Sequence, residues 1–205
     1  MTRRLFLALL CCCFGRLLPA QTPIGSWRTH HAYNQLYRVE QAESRIYAAG
    51  KTGLMYYDSA DGKTGTLSRV DGLSESGVAE IAYDSATECL AIAYTNANVD
   101  LVQGKVVYNL SDIRRADISG SKSVHRIRFF NGHAYLCCDF GVVVVNVARH
   151  EIARTFYLGT NANRAAVYDM VFTPTEMIAA TSQGLMHIDI NDPYPNIATR
   201  WLCDS

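Results

Sequence analysis

A thirteen-residue segment recurs four times in this chain, and its spacing restricts the fold more than any other feature. Residues 46–58 read IYAAGKTGLMYYD, 90–102 LAIAYTNANVDLV, 134–146 AYLCCDFGVVVVN and 177–189 MIAATSQGLMHID. The eighth residue of each is Gly53, Ala97, Gly141 and Gly184, so the intervals are 44, 44 and 43 residues. An upstream apolar residue keeps step: Leu36, Val78, Val124 and Val167. A unit of this length, made of short β-branched and aromatic runs, must stack on copies of itself to bury its apolar surface. With four strands per unit the stack is a β-propeller.

The third repeat parses most clearly. Val124–Phe130 reads as a first strand, Asn131–Gly132 as a two-residue hairpin, and Ala134–Cys138 as a second strand. Val142–Val147 and Ile152–Leu158 follow as the third and fourth. Val142 to Val145 are all apolar, which implies burial on both faces, as in a blade held between two neighbours. The glycines at 53, 141 and 184 fall at the turn between strands two and three; the second repeat has Ala97 within Thr95–Asn98, so its turn is expected to be built differently. Asp58, Asp100 and Asp189, with Asn146 in the third repeat, recur near one position and read as hairpin caps between strands three and four.

The expected fold is therefore all-β, a propeller of four-stranded blades occupying residues 21–205. About four blades are present, starting near residues 36, 78, 124 and 167. The fourth repeat runs out near Trp201, where its last strand should lie, and Ile24–His30 precedes the first repeat as a strand without a partner. The sequence thus predicts an incomplete ring, part of a larger, seven-bladed propeller.

Residues 1–20 have the form of a secretory signal peptide: Arg3 and Arg4, an apolar run from Leu5 to Phe14 too short to span a membrane, and Ala20 at the cleavage position. This predicts an exported protein of the periplasm, outer membrane or cell surface. No later stretch is long and apolar enough for a membrane-spanning helix. Removing residues 1–20 leaves 16 basic against 19 acidic residues, a formal charge of −3, which argues against a nucleic-acid partner. Of the remaining cysteines, Cys89, Cys137, Cys138 and Cys203, the adjacent pair lies in an apolar strand and reads as small buried side chains.

No residue pattern points to catalysis, a metal or a cofactor. His30–His31 has no accompanying metal-ligand spacing, no GxSxG motif surrounds a serine, and no phosphate-binding loop is present. The recurring carboxylates follow the repeat, which assigns them structural work. Binding is expected on the face formed by the turns between strands two and three and by the links between blades, where loops stand on a rigid scaffold. That face carries the candidate ligand-binding residues Lys51, Asn96, Asn98, Lys122 and Arg164, with Lys51, Lys122 and Arg164 as its exposed cations.

Asp71–Gly72–Leu73–Ser74, then Val78 and Ile81, followed by a strand and a T-x-x-G-L turn such as Thr181–Leu185, resembles the repeats called two-component regulator propellers. Within that group Gly25–His30, Ala93–Leu101 and Asp139–Val144 are similar to the N-terminal propeller family of PorZ-type components of the bacterial type IX secretion system. The resemblance implies a non-enzymatic, exported interaction module. Its partners would be the sortase and other proteins of the attachment complex, and it would support cargo anchoring through anionic lipopolysaccharide. The alternative reading is a periplasmic, oligosaccharide-sensing propeller of a hybrid two-component regulator.

Overall fold

The computed structural model describes residues 35–160 and 164–204. The signal peptide and the segment Ile24–His30 lie outside them. Sixteen strands form four antiparallel sheets, each in simple sequential order. Blade 1 is β1 (Leu36–Ala42), β2 (Arg45–Gly50), β3 (Gly53–Asp58) and β4 (Lys63–Leu67). Blade 2 is β5 (Val78–Asp84), β6 (Cys89–Tyr94), β7 (Val99–Gln103) and β8 (Val106–Leu110). Blade 3 is β9 (Val124–Phe130), β10 (His133–Cys138), β11 (Gly141–Asn146) and β12 (Glu151–Phe156). Blade 4 is β13 (Val167–Phe172), β14 (Glu176–Thr181), β15 (Gly184–Asp189) and β16 (Leu202–Asp204). A one-turn helix, α1 (Asp112–Arg115), sits in the link between blades 2 and 3.

Blade 4 therefore differs from the sequence reading. Its last strand is present as the short β16, where Leu185 pairs with Asp204 and His187 with Leu202. Hydropathy missed this strand because it is three residues long and exposed throughout.

The first strands stand side by side, β1 on β5, β5 on β9 and β9 on β13, so the blades fan around a common inner wall. Three apolar clusters fill the seams. Leu54 of blade 1 meets Val78, Ile81 and Ile92 of blade 2. Val99 and Leu101 of blade 2 meet Val124, Ile127 and Leu136 of blade 3. Val142 and Val144 of blade 3 meet Val167, Met170 and Met186 of blade 4. Each middle blade is covered on both sides, which is why Cys89–Tyr94 and Gly141–Val145 are buried residue after residue rather than alternately. No comparable packing joins blade 4 to blade 1 among the described residues, so the blades form an open arc.

The cysteines follow this burial. Cys89, Cys137 and Cys138 are free and buried, and Cys203 is free and exposed. Burial pushes the Cys89 and Cys137 thiols up to about 12 and raises Cys138 as well, so all three remain protonated and unreactive near neutral pH.

The turn of blade 2 is built as its composition suggested. In the other blades two residues join strands two and three, with Gly50 pairing Gly53, Cys138 pairing Gly141 and Thr181 pairing Gly184. In blade 2 three residues, Thr95–Ala97, span Tyr94 to Asn98; Ala97 takes φ 63° and the Asn98 backbone amide donates to Asn96 Oδ1 at 3.0 Å. The extra residue shifts the register by one. Asp100, two residues beyond the glycine position that Asn98 holds, is not equivalent to Asp58, Asn146 and Asp189, which lie five residues beyond Gly53, Gly141 and Gly184. Those three do cap the hairpins, accepting bonds from the amides of Ala60, Arg149 and Asn191 at 3.1, 3.0 and 2.7 Å. Asp100 is instead fully buried.

Candidate binding face and the charged inner wall

The loop face is locked to the blades by a recurring bond. In each of three blades a residue of the turn between strands two and three donates its amide to the carbonyl just before the first strand. The pairs are Thr95 to Gly77 at 2.9 Å, Asp139 to Ser123 at 3.1 Å and Ser182 to Ala166 at 2.8 Å. The link after β4 is fixed from within. The Ser68 amide and hydroxyl both donate to Asp71 Oδ2 at 2.9 and 2.8 Å, Gly72 takes φ 106°, and Leu73 is buried below. Its end is held by the Ser74 amide, which donates to Asp100 Oδ2 at 2.8 Å. Arg114 of α1 reaches across to Glu75, tying this link to the next one. Such bracing leaves the face polar but rigid, which lowers the entropy cost of engaging a partner.

The five sequence candidates divide on this face. Lys51 stands exposed in the two-residue turn of blade 1, and Asn96 is exposed in the turn of blade 2. Their two turns converge on Gly77: a Cβ placed there would lie 3.0 Å from Thr95 Oγ1 and 3.8 Å from the Lys51 carbonyl. Arg164 is exposed on the link into blade 4, with its guanidinium 4.2 Å from the centroid of the Tyr157 ring, a cation–π pair. The other two differ from expectation. Asn98 is buried, because the longer turn places it at the ladder position that glycine holds in the other blades, and its Oδ1 has no hydrogen-bond partner. Lys122 is half-buried, and its ammonium donates to the carbonyls of Arg114 and Ala116 at 2.9 and 2.6 Å. It closes the C-terminal end of α1, where a cation is favoured by the unpaired carbonyls. The face thus offers Lys51, Asn96 and Arg164 outward, while Asn98 and Lys122 support the turns beneath.

The inner wall carries a pattern that single-residue inspection of the sequence missed. The third residue of each first strand is Arg38, Glu80, Arg126 and Asp169, alternating in charge from blade to blade. Arg38 Nε lies 2.8 Å from Glu80, Arg126 lies 3.7 Å from both Glu80 and Asp169, and Arg128 grips Asp169 through two bonds of 2.9 and 2.8 Å. The signal was present in the repeat itself, had the first strands been aligned. What aims these residues is a register shift at the same place in every blade, between Leu36 and Arg38, Val78 and Glu80, Val124 and Arg126, and Val167 and Asp169. A β-bulge at the second residue turns the third toward the neighbouring blade. The bulged residues also bridge seams: the Tyr37 hydroxyl donates to the Val78 carbonyl, and His125 meets the Tyr168 ring at 5.2 Å between centroids.

These pairs link stability to pH. Burial pushes the Asp169 carboxyl up, but the Arg128 bonds, the Met170 amide and Arg126 outweigh it and hold the carboxyl below its ordinary 3.8. A lowered folded value means the stabilisation is complete above about pH 4 and is lost as pH falls through the folded value. In Arg128→Met the thermal midpoint should therefore fall below that of the parent at pH 7, and the gap should narrow as the pH drops toward about 2. A gap that stays constant with pH would show that Arg128 acts by packing rather than by charge.

A separate cleft of about 290 Å³ lies at the opposite end of blades 1 and 2, lined by Arg45, Tyr47, Asp58, Tyr83, Glu88 and neighbouring residues. Arg45 is already engaged there, with Asp58 at 3.0 Å and over the Tyr56 ring at 4.8 Å. Its residues come from hairpins of two different repeats, and nothing in either repeat alone marks it. Among the described residues no three His, Cys, Asp or Glu side chains gather as a metal ion would require, and no helix is long and apolar enough to cross a membrane.

Solved structures share this arrangement of blades. The chain superposes with a TM-score of 0.70 and 22% identity on PorZ of Porphyromonas gingivalis, described as an essential bacterial surface component of the type IX secretion system, covering 82% of this chain and 22% of that one. It superposes with a TM-score of 0.63 and 16% identity on the extracellular domain of BT4673 from B. thetaiotaomicron, described as a one component system, covering 84% of this chain and 24% of that one. The computationally designed protein Ika8 matches at a TM-score of 0.58 and 11% identity, covering 82% of this chain and 49% of that one. At these identities the likeness establishes the propeller fold, and the chain spans less than a quarter of the first two. None of the curated proteins matches the chain in sequence. The family profile described as the N-terminal β-propeller domain of PorZ, of the type IX secretion system, matches residues 46–198, from the second strand of blade 1 to the segment just before β16 of blade 4, and this chain belongs to that family.

Proposed function

We propose that this propeller is a non-enzymatic interaction module of a type IX secretion attachment complex at the outer membrane. In this reading it works beside the sortase and other proteins of that complex and supports cargo anchoring through anionic lipopolysaccharide. The observation that carries the proposal is the family match over residues 46–198, to a domain of a secretion-system component. The chemistry of the site supports it. The carboxylates best placed to act, Asp58, Glu80, Asp100 and Asp169, are each committed to bonds within or between blades. The loop face, by contrast, presents Lys51 and Arg164 on braced turns, with Asn96 as a neutral donor and acceptor. Cations of this kind recognise an anionic glycan surface and contribute about 1 kcal/mol each. The compartment would be the cell surface or periplasm, and no cofactor is needed.

The double variant Lys51→Ala/Arg164→Ala should lower binding of the purified chain to anionic lipopolysaccharide on the order of tenfold, with a weaker salt dependence than the parent. In cells whose parent gene carries the same changes, cargo should be released into the medium. Unchanged binding together with normal anchoring would overturn the assignment.

The likeness to the extracellular domain of BT4673 favours a second reading, an oligosaccharide-sensing propeller of a two-component regulator. Saturable binding of neutral oligosaccharides, unaffected by the same double variant, would favour it over the first.

A further inference from the structure

A cleft of about 220 Å³ lies between blades 3 and 4, at the hairpin end of their seam, opposite the loop face. Buried Val144, Phe156 and Met177 line it, with the rings of Tyr135 and Phe130. The corresponding place between blades 2 and 3 is filled. There Tyr108, paired with Leu101, stacks on His150 of the blade 3 hairpin at 3.5 Å between centroids, and His150 bonds to Gln103 at 2.8 Å. In blade 3 the residue at the place of Tyr108 is Arg154, paired with Val144. A register shift beside it, between Val144 and Val145, has no counterpart in the same strand pairs of blades 1 and 2. This bulge sends Ile152 toward the blade 2 seam and Arg154 into the cleft. Blade 4 also has no tight hairpin to plug the gap. The link between its third and fourth strands runs over residues 190–201, against 59–62, 104–105 and 147–150 in the other blades. This link is braced and forms one side of the cleft through Ile190, Asp192 and Pro195. Trp201 Nε1 donates to the Pro195 carbonyl at 2.8 Å, and Arg200 holds Asp192 Oδ2 through bonds of 2.8 and 2.5 Å.

We propose that this cleft binds a carboxylate carried on a short apolar body, either a free arylalkanoic acid or the last residue of a peptide chain. The charge selects the anion. Arg154 has no acidic partner among the described residues, and Arg200 already neutralises Asp192, the carboxylate at the cleft. One free cation matches a monoanion. Burial raises the Tyr135 hydroxyl more than Arg154 lowers it, so it stays protonated and remains a donor near the guanidinium. A guanidinium and a hydroxyl together supply the charge-assisted bonds that a carboxylate accepts. The apolar lining selects the body of the ligand, and the volume limits its size. The cleft is smaller than the roughly 300–1,000 Å³ usual for larger ligands, which leaves room for a single ring. Neither Lys51 nor Arg164 contributes, so this site is separate from the glycan contact of the loop face.

Titration calorimetry of the intact protein with 3-phenylpropionate should show saturable binding at a single site. The amide of the same acid has the same shape without the charge and should bind about tenfold more weakly. Arg154→Gln, at an exposed position, should lower affinity for the acid about tenfold with an unchanged circular dichroism spectrum, and Arg154→Lys should recover part of the loss. Tyr135→Phe keeps the ring and should weaken binding several-fold, whereas Lys51→Ala/Arg164→Ala should bind as the parent does. N-acetylphenylalanine, which mimics the end of a peptide chain, tells the two sources apart. Tighter binding than 3-phenylpropionate marks a chain terminus, and weaker binding marks a free acid. A protein that takes up neither acid at millimolar concentration would overturn the proposal. So would equal affinity for acid and amide, or acid binding that Arg154→Gln leaves unchanged.

Discussion

Replacing Gly141 by alanine should destabilise the protein by about 3 kcal/mol or more, well beyond the same change at Gly53 or Gly184. All three glycines open a third strand in a left-handed region, with φ of 138°, 149° and 117°. A side chain there costs about 1–2 kcal/mol from backbone conformation alone. What separates them is the space above. A Cβ on Gly53 would meet the Leu67 carbonyl at 3.1 Å, and one on Gly184 the Asp204 carbonyl at 3.0 Å, contacts that a small shift relieves. On Gly141 it would lie 2.1 Å from the Phe156 carbonyl oxygen. That strand cannot retreat easily, because Phe156 pairs with Val142 and its ring is buried in the seam between blades 3 and 4. Urea unfolding of the three variants should rank Gly141→Ala far below the other two. Equal losses would mean that backbone conformation, rather than the carbonyl overlap, sets the cost.

Removing the Asp100 carboxylate should cost a comparable amount, about 3–5 kcal/mol in Asp100→Ala. This side chain is fully buried and gathers three donors: the Ser74 amide at 2.8 Å and the Tyr94 hydroxyl at 2.6 Å on one oxygen, and the Asn109 amide group at 2.8 Å on the other. Each donor left without a partner costs about 1–3 kcal/mol, less where water can enter. Burial, then the bond to Asp100, raises the Tyr94 hydroxyl well above its ordinary value, so Tyr94 stays a donor throughout the neutral range. The link through Ser74 also shapes the loop face, so the variant should speed hydrogen exchange at the Ser74 amide before the blade itself opens. Asp100→Asn keeps one acceptor and should fall between parent and alanine. If exchange at Ser74 is unchanged in Asp100→Ala, the link is held by Leu73 and the Ser68–Asp71 bonds alone.

These two sites show where the sequence was and was not readable. Gly141 was legible, because a recurring glycine between two apolar strands has a steric reason that the repeat displays. Asp100 was misread. It lies eleven residues after Cys89, near the step of Asp58 and Asp189, but it stands two residues beyond the glycine position of its blade rather than five, which puts it in the interior instead of at the hairpin. Asn98 and Lys122 were misplaced for other reasons: burial of one follows from the extra residue in the Thr95–Ala97 turn, and the other's contacts depend on where α1 ends. The alternating charges of the inner wall were spelled out in the first strands, yet their meaning depended on bulges that hydropathy does not reveal.

By itself the sequence determined the unit of this protein. A 44-residue apolar period requires blades, and continuous apolar strands require each blade to be covered by the next. Tertiary structure decided what the units do to one another. It brought Arg38, Glu80, Arg126 and Asp169 into one line, turned Lys51, Asn96 and Arg164 outward, and covered blades 2 and 3 on both faces. The division has a physical basis. Burial and turn geometry act over a few residues and leave a periodic trace, whereas contacts between blades join residues about forty positions apart through register shifts of a single residue.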